Sequence, residues 1–486
     1  MEQPNIIFIF SDQQRWDTLG CYGQQLPISP NLDKLAEKGV LFEHAFTPQP
    51  VCGPARSCLQ TGLYATQTGC YRNGIALDVN DQQTIARLMS KAGYEVGYIG
   101  KWHLASTSGE SAEDLEPRIN YRDKAIPPER RGGYDDFWLA ADVLEHTSHG
   151  PEGGHMWDEE MNQVDFKGYR VDGVTNFVID YLKSRDGKKP FFLFLSYLEP
   201  HHQNDRNIFE GPEGSKNEFK NYQVPGDLEG KNGDWKEQLP DYLGCCYAID
   251  KNIGRINQTL QELGIKQNTL LIYTSDHACH FRTRNSEYKR SCHENSIHVP
   301  MIINGPGFSG GLQVNQLVSL LDLVPTVLQA GKAAIPSRVQ GKPLQMLIDS
   351  PKSTGWPDAV LVQVSESQVG RAIRTGKWKY CVVAPGLNGS YHAKSNFYVE
   401  SFLYDLDQDI DEKNNLVHDP EFKLVRNELK KILIEKMKEA GESEPIIVSS
   451  ERIPANDILK VYGRIHKNEE GNLIIGIIPA LRGATN

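Results

Sequence analysis

The fold is decided by the stretch Ile6-Ile7-Phe8-Ile9-Phe10-Ser11-Asp12-Gln13. Five apolar residues, enough for a buried strand, are followed at once by a carboxylate and an amide. Three further apolar runs, at residues 96–99, 191–198 and 270–274, also end in charged or metal-ligating residues. Those endings are Gly100-Lys101-Trp102-His103, Glu199-Pro200-His201-His202 and Ser275-Asp276-His277. Ligands bind beyond the carboxyl ends of parallel strands, so the four endings are expected to converge on one site.

Around these runs, strand-length apolar segments alternate with helical patterns. This alternation predicts an α/β fold with a large mixed, mostly parallel sheet sandwiched by helices. A helix is expected to begin at Pro30, with Ser29 as its N-cap, and to stop at Gly39. Other helices are expected over residues 82–92, 174–183, 242–263 and 321–329, and another strand over residues 301–303.

The chain is predicted to divide into two units, at residues 1–350 and 358–486. The second is expected to be a smaller α+β domain with a small antiparallel sheet and a packing helix. Its strands are expected at residues 359–364, 371–375, 378–383 and 402–405, and its helix near residues 421–440. Residues 105–170 and 203–240 are polar and rich in Gly, Pro and Asn, which predicts functional loops or insertions.

Composition excludes several classes of protein. The chain has 486 residues, with 52 Lys and Arg against 63 Asp and Glu, so its formal charge of −11 argues against nucleic acid as a partner. No run reaches the ~18 consecutive apolar residues of a membrane span. The start, Met1-Glu2-Gln3-Pro4, lacks a signal-peptide pattern, so a cytoplasmic location is expected, or a periplasmic or secreted one if a signal was removed. The nine cysteines form no CxxC pair and are expected to be mostly buried thiols.

Two kinds of ligand-binding residue follow the predicted strands. Asp12, Gln13, Asp276 and His277 form a mostly oxygen-donor set that suits Ca²⁺ or Mg²⁺, while the imidazole leaves Mn²⁺ or Zn²⁺ open. An Asp after a strand is more often a cap or turn residue, so the coincidence of four endings carries the prediction. A cationic group beside this set is expected to bind an anion, and it consists of Lys101, His103, His201 and Lys289.

The sharpest local signal is Val51-Cys52-Gly53-Pro54-Ala55-Arg56-Ser57-Cys58-Leu59-Gln60-Thr61-Gly62. Pro54 fits the first position of a helix and Gly62 its stop. Cys52 is then at or just before a helix N-terminus, where N–H groups and the dipole favour an anion. These residues alone leave two interpretations open: a low-pKa thiolate nucleophile activated by the helix and Arg56, or a structural cysteine in a loop.

The pattern Cys52-x-Pro54-x-Arg56 with Leu59-x-Thr61-Gly62 resembles the signature of the formylglycine-dependent (type I) sulfatases of the alkaline-phosphatase superfamily. The resemblance covers most of the chain. It extends through Pro4-Asn5-Ile6-Ile7, Gly100-Lys101-Trp102-His103, Ser275-Asp276-His277, Lys289 with Glu294 before Val299-Pro300, and Leu403-Tyr404-Asp405-Leu406 with Asn415-Leu416. It implies an alkaline-phosphatase-like fold and a sulfuric ester hydrolase.

The resemblance also implies a modified nucleophile and a metal. A maturation enzyme would oxidise Cys52 to Cα-formylglycine, whose hydrate attacks the sulfur atom. Asp12, Gln13, Asp276 and His277, with an oxygen of the modified Cys52, would hold the divalent ion. Ca²⁺ is expected, with Mg²⁺ or Mn²⁺ as alternatives.

The remaining catalytic roles follow from the same resemblance. Arg56 would steady the aldehyde hydrate, while Lys101 and Lys289 would bind the sulfate oxygens. His201 or Lys289 would protonate the leaving alcohol. His103 would then take the proton from the second hydroxyl of the hydrate, which expels sulfate and restores the aldehyde.

Three positions depart from the family pattern, and a fourth resembles other hydrolases of the same superfamily. Gln13 stands where many members carry a second Asp, Ala278 where Gly is usual, and Gly53 where a small hydroxyl residue is usual. Asn73, before Gly74, resembles an anion-pocket Asn of phosphonate monoester and phosphodiester hydrolases in the same superfamily. A type I′-like turn at this pair is the competing interpretation, so Asn73 is a candidate substrate contact only.

The function expected is hydrolysis of a sulfate monoester on a small molecule, with a sulfated carbohydrate as the leading candidate. A phosphonate monoester or phosphodiester hydrolase is the first alternative, and a catalytically lapsed anion- or glycan-binding protein the second. The net charge of −11 does not oppose an anionic substrate, because positive charge can be focused in one pocket. Candidate sugar contacts in or near the polar insertions are Arg170, Arg206, Trp235 and Arg282.

Overall fold

The computed structural model describes residues 3–109, 118–349 and 355–449, and two short strands at residues 465–467 and 473–475. The helices are α1 (Pro30–Lys38), α2 (Cys52–Thr61), α3 (Ala65–Thr68), α4 (Ile85–Lys91), α5 (Arg170–Ser184), α6 (Ser215–Glu218), α7 (Trp235–Glu262), α8 (Glu294–Ile297), α9 (Leu323–Ala330), α10 (Gln345–Asp349) and α11 (Lys423–Glu439). The strands of the larger unit are β1 (Asn5–Ser11), β2 (Val40–Phe46), β3 (Glu95–Lys101), β4 (Phe137–Ala141), β5 (Ser148–His149), β6 (Gly153–Trp157), β7 (Gln163–Lys167), β8 (Phe191–Ser196), β9 (Thr269–Ser275), β10 (His298–Val299), β11 (Met301–Asn304) and β12 (Leu312–Ser319).

Within the described residues, these twelve strands form one mixed sheet. Its centre is parallel, in the order β9-β1-β8-β3-β4. Antiparallel strands flank the centre, with β11 beside β9 and β6 beside β4. The predicted large, mostly parallel sheet is confirmed, and the carboxyl ends of β1, β3, β8 and β9 lie along one edge.

The sheet is covered on both faces because its central strands are apolar on both faces. In β1, Phe8 and Phe10 enter the core formed with α2, α4 and α9, whereas Ile7 and Ile9 enter the core formed with α1, α5 and α7. Phe8 stacks on Phe194 of β8 with ring centroids 4.6 Å apart. These two cores hold the strand ends in fixed positions relative to one another.

A second sheet belongs to the C-terminal part of the chain. Its five strands in the described residues are β13 (Ala359–Val364), β14 (Gly370–Thr375), β15 (Trp378–Val383), β16 (Phe397–Asp405) and β17 (Ile446–Val448). They pair antiparallel except β16 with β17, and α11 packs on the sheet through Leu429, Leu433 and Met437. The remaining pair, β18 (Ile465–Lys467) and β19 (Leu473–Ile475), is antiparallel.

The predicted boundaries of 1–350 and 358–486 stay predictions, since residues 350–354 and most of 450–486 lie outside the described residues.

A buried ion cluster joins the two sheets. Lys379 of β15 pairs with Glu294 and with Glu412, the latter at 3.0 Å, and Arg374 pairs with Glu294 at 3.2 Å. No helix in the described part of the chain has the length and apolar content needed to cross a bilayer.

Two elements differ from the expectations. Residues 105–170, expected to be functional loops or insertions, also contain β4 inside the main sheet and β5 to β7 at its edge. The sequence analysis missed β4 because the strand is short and its surroundings are polar. The helix expected from residue 242 begins at Trp235 and includes Pro240, a residue type that usually interrupts a helix. Ser29 does precede α1, but its Oγ accepts the Gly20 N–H at 2.7 Å and makes no cap bond.

Candidate active site

The four strand endings meet around the side chain of Cys52. Its Sγ lies 3.5 Å from Asp12 Oδ1 after β1 and 3.2 Å from His277 Nε2 after β9. Lys289 Nζ donates to the same sulfur at 2.8 Å, and Lys101, the last residue of β3, lies 2.8 Å from Asp12. Residues far apart in sequence are thus brought to one point, as the parallel sheet requires.

Helix α2 presents Cys52 at its first residue. Val51 is the N-cap, with an extended backbone, and Gly62 ends the helix with φ +72°. Pro54 was expected to be the first helical residue but is the third. Proline is tolerated there because the N–H groups of the first turn have no helical partner. The N–H of Gly53, which has no partner within the helix, donates to Asn73 Oδ1 at 2.9 Å.

The environment of Cys52 favours a negative charge. The residue is buried, with 1% of its surface exposed, and burial alone would raise its pKa. The positive charges of Lys289 and Lys101, with smaller contributions from His277 and His103, outweigh burial and hold the pKa well below its usual range. The same arrangement would attract any anion placed at this position.

Asp12 is the centre of a buried ion network. Its Oδ2 accepts from Lys101 Nζ at 2.8 Å and from the Arg56 guanidinium at 3.0 Å. Burial opposes ionisation of Asp12, but Lys101, His201 and Arg56 hold its pKa below the ordinary value. Arg56 is fixed in turn by Ser196 Oγ at the end of β8, which accepts from it at 2.7 Å.

Four side chains are close enough together to bind one metal ion. The ligand atoms of Asp12, Cys52, Asp276 and His277 all lie within 4.8 Å of one another. Asp276 Oδ2 has no hydrogen-bond partner, and burial together with the charge of Asp12 raises the pKa of Asp276 to about 7. His277 Nδ1 lies 3.0 Å from the Ala278 carbonyl, which places the ring proton on Nδ1 and leaves the Nε2 lone pair facing the cluster. The residues present fit a divalent cation.

Gln13 lies beside this cluster in a left-handed conformation, with φ +71°. Its N–H donates to Asp276 Oδ1 at 3.0 Å, and its side-chain amide donates to Cys279 Sγ at 3.6 Å. The side-chain carbonyl oxygen is the atom left to act as a ligand. Its predicted role in metal binding stays a prediction.

Two histidines belong to the surroundings of Cys52. His201 Nε2 lies 3.2 Å from Lys289 Nζ, and burial together with Lys289 lowers the pKa of His201. His103 helps to lower the pKa of Cys52 and has a left-handed backbone with φ +60°. Its N–H donates to the Asp142 carbonyl at 2.7 Å, which ties the segment after β3 to the end of β4.

Comparison with known proteins identifies the family and the fold. The sulfatase family model matches residues 4–333, about two thirds of the chain. The chain belongs to the sulfatase family. A second model, the C-terminal region of N-sulphoglucosamine sulphohydrolase, matches residues 287–439. The sulfatase is therefore an enzyme of the class that the Cys52 motif indicated.

Its relatives cover nearly the whole chain. The sulfatase is 28% identical to an ulvan-active sulfatase of Formosa agariphila over 90% of this chain and 82% of the relative. It is 25% identical to an N-acetylglucosamine-6-O-sulfatase of Bacteroides thetaiotaomicron over 91% of this chain and 88% of the relative. A solved sulfatase structure from a glycosaminoglycan-metabolising locus of the same bacterium superimposes with a TM-score of 0.76 and 26% identity. The match covers 91% of this chain and 97% of that structure.

Asn73 is placed at the edge of the sulfatase site. Besides capping α2, it donates its N–H to Glu366 Oε1 at 2.7 Å, and Glu366 pairs with Arg290 at 2.5 Å. Gly74 has φ +80° whereas Asn73 does not have a positive φ, so the pair does not form a type I′ turn. A substrate contact from the Asn73 amide stays a prediction.

Sequence reasoning missed several residues of this site. Asp142 follows β4 and holds the segment after Lys101, and it was missed because β4 was not predicted as a strand. Glu145 contacts Lys101 at 3.3 Å, and Glu366 reaches in from the second sheet. Glu145 lies in the turn after β4, which was not predicted as a strand, and Glu366 lies in the turn between β13 and β14. Neither belongs to a motif, so the sequence analysis did not find them.

Two of the four candidate sugar contacts were wrong. Arg170 is 1% exposed and pairs with Glu199 at 2.9 Å, and Trp235 is 6% exposed inside an apolar cluster. Long polar side chains in an insertion resemble surface residues in sequence even where they are buried. Arg206 and Arg282 are partly exposed, and their roles stay predictions.

Proposed function

We propose that this sulfatase hydrolyses sulfate monoesters of carbohydrates and that Cα-formylglycine derived from Cys52 is its nucleophile. The carbohydrate assignment is supported by two relatives, named as acting on ulvan and on N-acetylglucosamine 6-O-sulfate, which match about nine tenths of this chain. One observation carries the proposal. Cys52 stands at a helix N-terminus between the cation Lys289 and a metal-binding set of two carboxylates and an imidazole.

The site has the parts that sulfate transfer needs. Lys101 and Lys289 would bind the ester oxygens. Arg56, which lies 3.0 Å from Asp12, would steady the group at position 52. A bound divalent cation, with Ca²⁺ proposed, would lower the pKa of the hydrate hydroxyl at position 52 and polarise the sulfuryl oxygens.

Proton transfer would use the flanking groups. Because burial and Lys289 keep the pKa of His201 low, His201 is neutral at pH 7, so Lys289 carries the proton for the leaving oxygen. Their separation of 3.2 Å allows His201 to relay that proton. His103 would accept the proton from position 52 when sulfate departs.

The test is a substrate comparison with protein co-expressed with a formylglycine-generating enzyme. We expect kcat/KM to be higher for 4-nitrophenyl sulfate than for a phosphonate monoester of the same alcohol, and to rise further on sulfated mono- and oligosaccharides. Cys52→Ala is the control for contaminating activity. Faster turnover of the phosphonate would replace this proposal by the phosphonate hydrolase alternative. Failure to bind or turn over any of these esters after conversion of Cys52 would indicate a lapsed site.

A further inference from the structure

Glu145 is a largely buried carboxylate that contacts Lys101 of the active site. It lies in a short 3₁₀ turn, Leu144–His146, after β4, and only 10% of its side chain is exposed. Its Oε2 accepts from Lys101 Nζ at 3.3 Å. None of the roles described above for the metal, the nucleophile or proton transfer uses this side chain.

Two further contacts hold Glu145 in this position. Its Oε1 accepts from Asn204 Nδ2 at 3.1 Å, and its carbonyl oxygen accepts from Gln203 Nε2 at 2.9 Å. Both partners follow β8, on the same segment as His201. Burial opposes ionisation, but Lys101 and then His201 and His103 lower the pKa of Glu145 to about 2. The side chain therefore carries a full negative charge at neutral pH.

This charge lies beside Lys101, which is proposed above to bind an ester oxygen. Lys101 is shared between Asp12 at 2.8 Å and Glu145 at 3.3 Å, so its positive charge is matched by two carboxylates. A metal ion would neutralise Asp12, which belongs to the ligand set, but not Glu145, which does not. The repulsion between Glu145 and a bound ester scales with the charge of the ester. A sulfate monoester is a monoanion, whereas a phosphate monoester with a second pKa of about 6 is a dianion above neutral pH.

We propose that Glu145 sets the charge selectivity of this site, admitting monoanionic tetrahedral esters and disfavouring dianionic phosphate monoesters. This inference rests on the proposed function for its choice of substrates. Glu145 acts through Lys101 and through the potential of the pocket, so it is a specificity-determining residue rather than a catalytic one.

The test compares Glu145→Gln with the unchanged protein on three esters of 4-nitrophenol at about pH 8: the sulfate, the phosphate and a phenylphosphonate. The sulfate and the phosphonate are monoanions, and the phosphate is a dianion. We expect Glu145→Gln to raise kcat/KM for the phosphate at least about tenfold relative to both monoanions. The ratio of the two monoanions should stay within about twofold, because their charge is the same. Glu152→Gln, which removes an exposed carboxylate paired with Arg206 and not with Lys101, is the matched control and should change neither ratio.

A second charge-retaining variant and a binding measurement complete the test. Glu145→Asp should keep the selectivity of the unchanged protein, whereas a phosphate preference in this variant would overturn the proposal. An equal loss on all three esters in Glu145→Gln would show a merely structural role and would also overturn it. If the sulfate is not turned over, the phosphate-to-phosphonate ratio still decides, and the proposed function alone has failed. If no ester is turned over, or if Glu145→Gln does not fold, binding decides instead of turnover. Calorimetry would then measure the Kd of the phosphate and of the sulfate for two proteins, Cys52→Ala alone and Cys52→Ala combined with Glu145→Ala. The ratio of these Kd values should shift towards the phosphate when Glu145 is removed, and an unchanged ratio would overturn the proposal.

Discussion

Metal binding at this site should depend on pH through one carboxyl group. Burial and the neighbouring charge of Asp12 raise the pKa of Asp276 to about 7 in the metal-free protein. Below that pH Asp276 holds a proton that the cation must displace, so affinity should fall as the pH falls. With a pKa of about 7, the ionised fraction of Asp276 rises from roughly one tenth at pH 6 to roughly nine tenths at pH 8.

We therefore expect the Kd for Ca²⁺ to decrease about tenfold between pH 6 and pH 8, with most of the change below pH 7. Isothermal titration calorimetry of the unconverted protein measures this, and repeating it at pH 6 in buffers of different ionisation enthalpy should show close to one proton released per ion. Asp276→Asn should bind more weakly and lose this dependence. An affinity that is independent of pH, or the same pH dependence in Asp276→Asn, would refute the reasoning.

Three substitutions test other parts of the site. Cys52→Ala should abolish turnover while leaving the circular dichroism spectrum unchanged, and loss of the fold would instead indicate a structural cysteine. Arg56→Ala leaves the buried carboxylates of Asp12 and Asp276 without their guanidinium partner. It should therefore lower the free energy of unfolding, measured with denaturant, by about 3–5 kcal/mol. The control Arg206→Ala, on the surface, should lower it by about 1 kcal/mol or less. Asn73→Ala removes the cap from the Gly53 N–H and should cost about 1 kcal/mol of stability with a fall in kcat, and a variant that keeps full kcat would contradict this role.

The sequence predicted those features that depend on local periodicity. β1, β3, β8 and β9 are continuous apolar runs, and the residues after them can be located without any structure. Because parallel strands place their carboxyl ends at one edge, the convergence of Asp12, Lys101, His201 and Asp276 followed from order alone. The helix that carries Cys52 was also predicted, although its first residue was not.

The features that were missed depend on contacts between distant segments. β4 is five residues long and lies in a polar stretch, and its place in the sheet comes from pairing with β3. Glu145 and Glu366 enter the site from a turn and from the second sheet, and only the folded chain shows what they face. Arg170 and Trp235 illustrate the converse, because their burial is decided by packing rather than by residue type.

Mass spectrometry of the peptide that contains Cys52 tests the central claim most directly. Protein co-expressed with a formylglycine-generating enzyme should carry the aldehyde at position 52, and sulfatase activity should rise in proportion to the fraction converted. Protein prepared without conversion should be inactive with an intact thiol. Full activity in protein that carries only the unmodified Cys52 thiol would contradict the mechanism, whatever the fold.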